Sequence, residues 1–246
     1  MIRVKFCFLI LLCFSLSAKA QRVDTLTREN KFRVAPFIIP AVFVGYGLMG
    51  SGNNFINDID RNTRERLVER HALFSLKADD YLRYVPAAAV YGLHLSGVTG
   101  KNSVVDATGN YVVSMAISMS VVSFTKKISH RLRPDGTTYD AFPSGHTSTS
   151  FASAEFLNQE YKDISPFIGY AGYAVALTTG VFRLYNNRHW VTDVVAGAGV
   201  GIASTKLGYL LYPHLKRALF GKNETNFSLV PLYQEGKAGL SFAGRF

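Results

Sequence analysis

The stretch KKISHRLRPDGTTYDAFPSGH, which runs from Lys126 to His146, carries two groups of polar residues between apolar segments. In the first group, Lys126 and Arg133 are seven positions apart, or two turns of an α-helix, so the spacing predicts both cations on one helical face. Pro134 is expected to end that helix and to leave Arg133 in its last turn. An arginine fork beside a lysine point charge suits a tetrahedral oxyanion, although the same residues are also typical of the basic end of an apolar helix.

The second group is Pro143-Ser144-Gly145-His146. A proline at the entrance of a helix, followed by serine and glycine, leaves backbone N–H groups free to bind phosphate, aided by the helix dipole. Ser144 adds a hydroxyl donor, and His146 stands next to any anion bound there. The alternative is an N-capped helix with an incidental histidine.

A third group follows in RLYNNRHWVTD, which begins at Arg183. His189 and Asp193 are four residues apart, so a helix would place them on one face, where the carboxylate accepts an imidazole N–H. That pairing would set the tautomer of the histidine and leave its other nitrogen as a nucleophile. A surface His–Asp pair without chemistry remains the alternative.

Taken together, the three groups resemble, in order and in spacing, the three-part signature of the type 2 phosphatidic acid phosphatase and vanadium haloperoxidase superfamily. The resemblance covers about Tyr111 to Tyr212. It implies an all-α fold: a helical bundle of this family's type with about five to six core helices. The sequence departs from the family at Phe182, where the family usually has serine before the arginine, and this removes one possible hydroxyl contact to phosphate.

The resemblance also implies a role for each matching residue. His189 would attack phosphorus and form a phosphohistidine, Asp193 would orient it, and His146 would protonate the leaving oxygen and then activate water. The phosphoryl oxygens would be held by Lys126, Arg133, Ser144, Gly145 and Arg183. No metal or other cofactor is expected in this scheme.

A metal centre is the competing interpretation of the same polar residues. It would use His146, His189, Asp140 and Asp193. These residues lack close ligand spacing such as His-x-x-x-His, so the sequence favours a site without metal.

The order of segments predicts three regions. Residues 1–20 read as a signal peptide, with a basic start, an apolar run and an Ala18-Lys19-Ala20 cleavage site, and both cysteines of the chain lie within them. Residues 21–220 would form the helical phosphatase domain. Residues 221–246 form a tail in which two short strands, Phe227–Leu232 and Ala238–Phe246, predict a β-hairpin.

Two helices are predicted between the second and third polar groups, one over 144–161 and one over 165–182. The first leaves the site and the second returns to it, so both groups meet at one end of the bundle. Because the first helix is rich in polar side chains, we expect it to be shielded from lipid. Other apolar segments are predicted at 36–49, 85–98, 111–124 and 194–212, with a charged amphipathic stretch over 55–82. We expect the bundle to span a bilayer, although the short first segment is not expected to cross it.

The formal net charge of +10 suits anionic lipids or phosphorylated substrates. Nucleic acid is disfavoured because the basic residues are scattered among apolar segments instead of gathered on one polar face. The sequence therefore predicts a metal-independent phosphatase of envelope lipids, exported to the bacterial inner membrane or periplasm, with its site facing the periplasm. Undecaprenyl pyrophosphate, phosphatidic acid, phosphatidylglycerophosphate and lipid A are the substrates considered. The alternatives are a soluble periplasmic nonspecific acid phosphatase, a vanadium-dependent haloperoxidase and a membrane protein without enzymatic activity.

Overall fold

The structure is a computed structural model that describes residues 34–50, 52, 54–72, 74–221, 227–234 and 237–244. The predicted signal peptide lies outside these residues. The described residues form eight helices: α1 (Ala35–Met49), α2 (Phe55–Arg70), α3 (Asp79–Leu82), α4 (Val85–Leu95), α5 (Val104–Ser129), α6 (Gly145–Tyr161), α7 (Pro166–Tyr185) and α8 (Val191–Phe220). Two strands follow, β1 (Phe227–Gln234) and β2 (Lys237–Gly244), which pair antiparallel with Phe227 opposite Gly244.

Helix α6 lies at the centre of the bundle, packed against α7 on one side and α8 on another, with α4 and α5 also in contact. Its side chains are buried along most of its length, and Phe156 and Tyr161 are fully buried. The polar composition of α6 is therefore shielded by its neighbours, as the sequence predicts. Helix α1 packs against α8.

Small residues allow α8 to approach α6 closely. A Cβ atom added at Gly197 would lie 2.6 Å from the Ser144 carbonyl oxygen, and one added at Gly201 would lie 2.3 Å from that of Ser148. Backbone atoms cannot move aside as a flexible side chain does, so both positions require glycine. This contact fixes the start of α6 against the start of α8, where the second and third polar groups lie.

Helix α5 is longer than the apolar segment predicts, and it ends earlier than Pro134 suggested. The Ser103 hydroxyl accepts a hydrogen bond from the Asp106 N–H and begins the helix, while His130 adopts a left-handed conformation and ends it after Ser129. Arg133 therefore lies in the following loop, and the prediction that it occupies the last helical turn is wrong.

The charged stretch 55–82 is not one helix. It is divided into α2 and α3, and the loop between them is tied to the end of α7. The Asn186 side chain accepts from the Leu76 N–H at 3.0 Å and donates to the Leu76 carbonyl at 2.8 Å. This long-range bridge, which hydrophobic periodicity does not reveal, brings α3 to the end of the bundle where the polar groups meet.

Three of the described helices are long and apolar enough to cross a bilayer by length and composition: α5, α7 and α8. Helices α1 and α4 are apolar but shorter. Many large apolar side chains on the outer faces of α1, α5 and α7 are exposed, including Val42, Phe124 and Leu177. Such faces suit contact with lipid.

Candidate active site

The three polar groups converge at one end of the bundle. A cavity of about 360 Å³ is lined by Lys126, Arg133, Gly145, His146 and His189, together with apolar side chains of α5. A second cavity of about 550 Å³ is mainly polar, and it contains Arg183 as well as Arg133 and His146. The two cavities meet at the shared residues Arg133 and His146, so cations and histidines from separate segments of the chain face one space.

His189 lies in the loop just before α8, where it is buried. Its Nδ1 atom lies 2.8 Å from the Ala141 carbonyl oxygen. Because a carbonyl oxygen only accepts, Nδ1 carries the proton of the neutral ring and Nε2 is left with a free electron pair. His189 thus has the tautomer that a nucleophile requires.

Asp193 does not take the His189 N–H as the helical spacing suggested. Its Oδ2 atom is 3.7 Å from Nδ1, beyond a hydrogen bond, and instead accepts from the Trp190 N–H at 2.8 Å. Its Oδ1 atom accepts from Arg131 Nη1 at 2.7 Å. The pair lies at a helix start and not along a helical face, which is why the simple i, i+4 geometry fails. Asp193 acts on His189 through its charge and through the loop that it caps.

Burial, which is the largest cause, and the positive charges of Arg183 and Lys126 together lower the pKa of His189 to about 4, although Asp193 opposes the shift. The ring is therefore neutral at and above mildly acidic pH. A neutral imidazole with an unprotonated Nε2 in a cationic cavity is suited to attack an electrophilic phosphorus.

His146 stands at the first turn of α6, where its Nε2 atom lies 2.7 Å from Oδ1 of Asp80 in α3. Burial lowers the pKa of His146, as does the charge of Arg183, whereas the hydrogen bond to Asp80 raises it. The same hydrogen bond is the main reason that the pKa of Asp80 is below its usual range. Asp80 thus holds one nitrogen of the ring, and Nδ1 is the nitrogen left for proton exchange with a ligand.

Arg183 is buried at the end of α7, with Nη1 donating to Asp79 Oδ2 at 2.6 Å. Among the described residues, its buried Nε atom has no hydrogen-bond partner. A buried guanidinium N–H without an acceptor is costly and marks a place for an anion. Asp79 and Asp80 therefore anchor the two groups, Arg183 and His146, on the polar side of the site.

Lys126 and Arg133 meet at a third carboxylate. The Lys126 ammonium donates to the Asp140 carbonyl and lies 3.4 Å from its Oδ2 atom, while Arg133 Nη2 donates to Oδ2 at 3.0 Å. Burial alone would raise the pKa of Asp140, but the Thr138 hydroxyl and the two cations hold it at about 2. The predicted convergence of the two cations is observed, though through a loop and not through a shared helical face.

Ser144 and Gly145 form the start of α6, as predicted. The Ser144 hydroxyl is fully buried, where it accepts from the Thr147 N–H at 3.4 Å and from the Thr147 hydroxyl at 2.9 Å. Its own proton remains available as a donor. Gly145 lines the 360 Å³ cavity, so the open face of the helix N-terminus is directed to the same space as His146 and His189.

Four charged residues outside the three predicted sets contact the site residues or the residues that hold them: Asp60, Asp79, Asp80 and Arg131. Asp79 and Asp80 lie 104 and 66 residues from their partners, so no spacing connects them. The sequence marks them only weakly, as two adjacent carboxylates in a basic stretch.

A carboxylate-rich group suited to a cation also lies here. One ligand atom from each of Asp79, Asp80 and His146 lies within 4.8 Å of the others. Asp79 is already paired with Arg183, so a cation would have to compete with a guanidinium. This group differs from the metal-binding set that the sequence alone suggested, which shares only His146 with it.

Fold and site together define a helical membrane protein with cations and two histidines arranged around a space for a tetrahedral anion. Residues 107–217 match the PAP2 superfamily, which confirms the resemblance drawn from the three polar groups.

Over 170 residues, or 68% of this chain, the sequence is 38% identical to a protein of Porphyromonas gingivalis named lipid A 1-phosphatase. This chain spans 38% of the length of that relative. The crystal structure of a transmembrane PAP2-type phosphatidylglycerolphosphate phosphatase from Bacillus subtilis has a TM-score of 0.51 at 17% identity. It covers 75% of this chain and 99% of its own. That likeness supports the helical fold.

Proposed function

We propose that this protein is a phosphatase of envelope lipids that transfers a phosphoryl group to His189 and hydrolyses it there, and that the 1-phosphate of a lipid A-type glycolipid is its substrate. The observation that carries the proposal is the state of His189. Its Nδ1 atom is committed to the Ala141 carbonyl, and the ring lines a cavity shared with Lys126, Arg133 and His146. The relative named lipid A 1-phosphatase supports the choice of substrate.

In the first step, Nε2 of His189 attacks phosphorus, a P–N bond forms and the P–O bond to the lipid breaks. Protonated His146 gives its proton to the departing oxygen, so the lipid leaves as an alcohol. In the second step, His146 takes a proton from water, the hydroxide attacks phosphorus, and the P–N bond breaks to release inorganic phosphate and regenerate His189.

The charge on the phosphoryl oxygens is stabilised throughout by groups already in place: Lys126, Arg133, Arg183, the Gly145 N–H and the Ser144 hydroxyl. The buried Arg183 Nε, which has no hydrogen-bond partner in the described part of the chain, is one such donor. Preorganised donors in a site with little water stabilise a transition state more than the same groups do in water. These cations supply the charge that a metal provides in other phosphatases.

A lipid substrate agrees with the lining of the two cavities. The 360 Å³ cavity has Met115, Met119 and Val122 of α5 beside the histidines, whereas the 550 Å³ cavity is lined by charged and polar groups such as Lys77 and Arg188. An apolar wall beside a polar chamber suits a molecule with acyl chains and a large headgroup.

The decisive experiment is phosphate release in detergent from a panel of substrates: a lipid A-type glycolipid, phosphatidic acid, undecaprenyl pyrophosphate and an aryl phosphate, with His189→Ala as the control. Release should be fastest from the glycolipid and absent in the variant. Fast release from the aryl phosphate alone would identify a nonspecific phosphatase. Equal release by His189→Ala would overturn the proposal.

We also propose that the site faces the periplasm. Because both cysteines lie within residues 1–20, a cysteine placed at Thr137, beside the site, can be compared with one at Lys162, at the other end of α6. A membrane-impermeant maleimide should label Thr137→Cys in intact cells with a permeabilised outer membrane, and Lys162→Cys only after lysis. The reverse pattern would place the site in the cytoplasm.

A further inference from the structure

Arg131 belongs to the first polar group of the sequence, but it does not line either cavity that contains His146. Its guanidinium lies between two carboxylates at the start of α8. Nη1 donates to Asp193 Oδ1 at 2.7 Å, and Nη2 donates to Asp60 Oδ2 at 2.8 Å. The side chains of both aspartates are almost fully buried, and that of Arg131 is 13% exposed.

Asp60 extends this arrangement into α8. Its Oδ1 atom accepts from the Thr192 N–H at 3.0 Å, and its Oδ2 atom accepts from the Thr192 hydroxyl at 2.5 Å. Thr192 is the second residue of α8, so a carboxylate of α2 satisfies one of the free N–H groups at that helix start. Asp60 therefore fixes both Arg131 and the turn that bears Asp193.

A buried ion network of this kind is weak evidence for stability, because desolvation offsets much of the attraction between the charges. Its position suggests another purpose. With Oδ1 held by Arg131 and Oδ2 by the Trp190 N–H, the Asp193 carboxylate stands 3.7 Å from His189 Nδ1. Without the guanidinium, the carboxylate would be free to turn toward the imidazole and would act on it with its full charge.

We propose that Arg131 and Asp60 are positioning residues for the nucleophile: they fix the Asp193 carboxylate and moderate its charge, so that His189 stays neutral and aimed at the phosphoryl group. This inference rests on the proposed function, in which His189 is the nucleophile. It also makes α2, a helix outside the matched family region, part of the catalytic apparatus.

The charges around His189 decide the direction of the pH effect. The negative charge of Asp193 raises the pKa of His189, and the positive charges of Arg183 in α7 and Lys126 in α5 lower it. Arg133, His146 and Arg83 line the same cavity. Replacing Arg131 by a neutral residue removes a cation from Asp193, which then favours the imidazolium more strongly. The pKa of His189 rises, and the acid limb of the kcat/KM profile, where the nucleophile becomes protonated, moves to higher pH.

Replacing Asp60 has a different effect. Asp60→Asn removes a negative charge and leaves Arg131 paired with Asp193 alone, so the acid limb stays in place or moves to lower pH. A fold defect common to both variants would leave their acid limbs at the same pH. A positioning role predicts that the acid limb of the Arg131 variant lies at higher pH than that of Asp60→Asn.

The test compares Arg131→Gln, Arg131→Lys and Asp60→Asn with Arg61→Gln, an exposed arginine next to Asp60 that serves as the matched control. Each purified protein is assayed in detergent for kcat, KM, pH profile and phosphohistidine burst, with the folded fraction measured in parallel. Arg131→Gln should lose about 10²-fold in kcat, the scale of a misplaced catalytic group, with KM near that of the wild type because Arg131 does not touch phosphate. Arg131→Lys keeps the charge and should keep the acid limb in place.

An acid limb in Arg131→Gln that matches Arg61→Gln would overturn the inference, even if activity falls with the folded fraction. A rise in KM with unchanged kcat would do the same, since it would place Arg131 in substrate binding. If the wild type forms no phosphohistidine from any substrate in the panel, the proposed function fails and this inference falls with it. If the wild type forms it and Arg131→Gln behaves like the control, only the inference fails.

Discussion

The Nε2 atom of His146 and the Oδ1 atom of Asp80 lie 2.7 Å apart, although 66 residues separate them in the chain. The carboxylate holds the imidazole in place and favours its protonated form, whereas burial and the charge of Arg183 favour the neutral form. Since the proposed acid must be protonated and the proposed nucleophile must be neutral, this contact sets the upper end of the working pH range.

The pH dependence of kcat/KM should be bell-shaped on the acid side of neutrality. His189 is neutral above a pKa of about 4, so activity falls as the pH drops through that value. His146, with its pKa lowered from 6.5, loses its proton as the pH rises, so activity also falls on the alkaline side. Asp80→Asn removes the group that raises the pKa of His146, and the alkaline limb should move to lower pH.

Because a phosphate monoester itself titrates near pH 6, this prediction is tested by comparing variants on one substrate. Asp135→Asn is the control, since Asp135 lines the 550 Å³ cavity but pairs with Arg188 instead of His146. An alkaline limb that moves equally in both variants would show that Asp80 acts only through the general charge of the cavity.

The two histidines should fail in different ways. His189→Ala removes the nucleophile, so no phosphoenzyme should form from any substrate. His146→Ala removes the proton donor, which a lipid alcohol needs as it leaves and an aryl phenolate does not. It should lose much of the 10²–10⁴-fold that general acid catalysis typically provides on a lipid phosphate, and far less in phosphorylation by an aryl phosphate. Rapid quenching of labelled enzyme measures both. A burst in His189→Ala, or equal losses on both substrates in His146→Ala, would reverse the two roles.

If Lys126 and Arg133 bind phosphate as proposed, Asp140 competes with it for these two cations. Its carboxylate contacts both cations, so a bound phosphoryl group has to share or displace it. Asp140→Asn should therefore tighten inhibition by inorganic phosphate and by vanadate, a mimic of five-coordinate phosphorus. Asp163→Asn, at the far end of α6 and exposed, should leave both inhibition constants unchanged. Weaker inhibition in Asp140→Asn would mean that the carboxylate aligns the cations.

Activity should survive chelators. The site offers three cations for the phosphoryl oxygens, and the carboxylates of Asp140, Asp79 and Asp80 are paired with those cations or with His146. Phosphate release measured in EDTA should equal that in buffer. Loss in EDTA with recovery on adding a divalent metal would point to the group Asp79, Asp80 and His146, and Asp80→Asn should then prevent the recovery.

The contact between α6 and α8 should tolerate no added methyl group at Gly197. A Cβ there would lie 2.6 Å from the Ser144 carbonyl, and overpacking of this kind typically costs about 1–3 kcal/mol. Gly197→Ala should lower the melting temperature and reduce activity, because the start of α6 carries His146. Gly92→Ala in α4 is the matched control and should stay active, because the new Cβ would meet no described atom within 4 Å apart from its own helix backbone and chain neighbours. Equal melting temperatures for the two variants would contradict this account of the packing.

The sequence predicted the helical bundle and the convergence of the three polar groups, because both depend on local patterns. Apolar periodicity defines the helices, and the outward and returning helices between His146 and Arg183 place two of the groups at one end. Helix ends were harder to predict. Helix α5 ends at Ser129 because His130 is left-handed, a conformation that is uncommon for residues other than glycine.

The long-range contacts could not be predicted. The loop that Asn186 holds brings Asp79 and Asp80 to the site, and α2 brings Asp60 to the start of α8. No sequence spacing connects either segment to the three polar groups. The hydrogen bond from His189 Nδ1 to the Ala141 carbonyl is of the same kind, since a backbone acceptor leaves no trace in the sequence. The sequence predicted Asp193 as the acceptor because a spacing of four residues puts two side chains on one helical face. The observed helix begins at Val191, two residues after His189, so this geometry does not apply.

Trp190 is the single tryptophan of the chain, and it sits within this network. Its indole Nε1–H donates to the Leu132 carbonyl at 2.9 Å, and the Arg131 guanidinium carbon lies 5.7 Å from its ring centroid. Its neighbours in sequence and in space are therefore His189 and the cation that holds Asp193. All indole emission of the purified protein comes from this one ring, so its intensity and wavelength should report, without any attached label, on changes in the contacts that hold Asp193 in place.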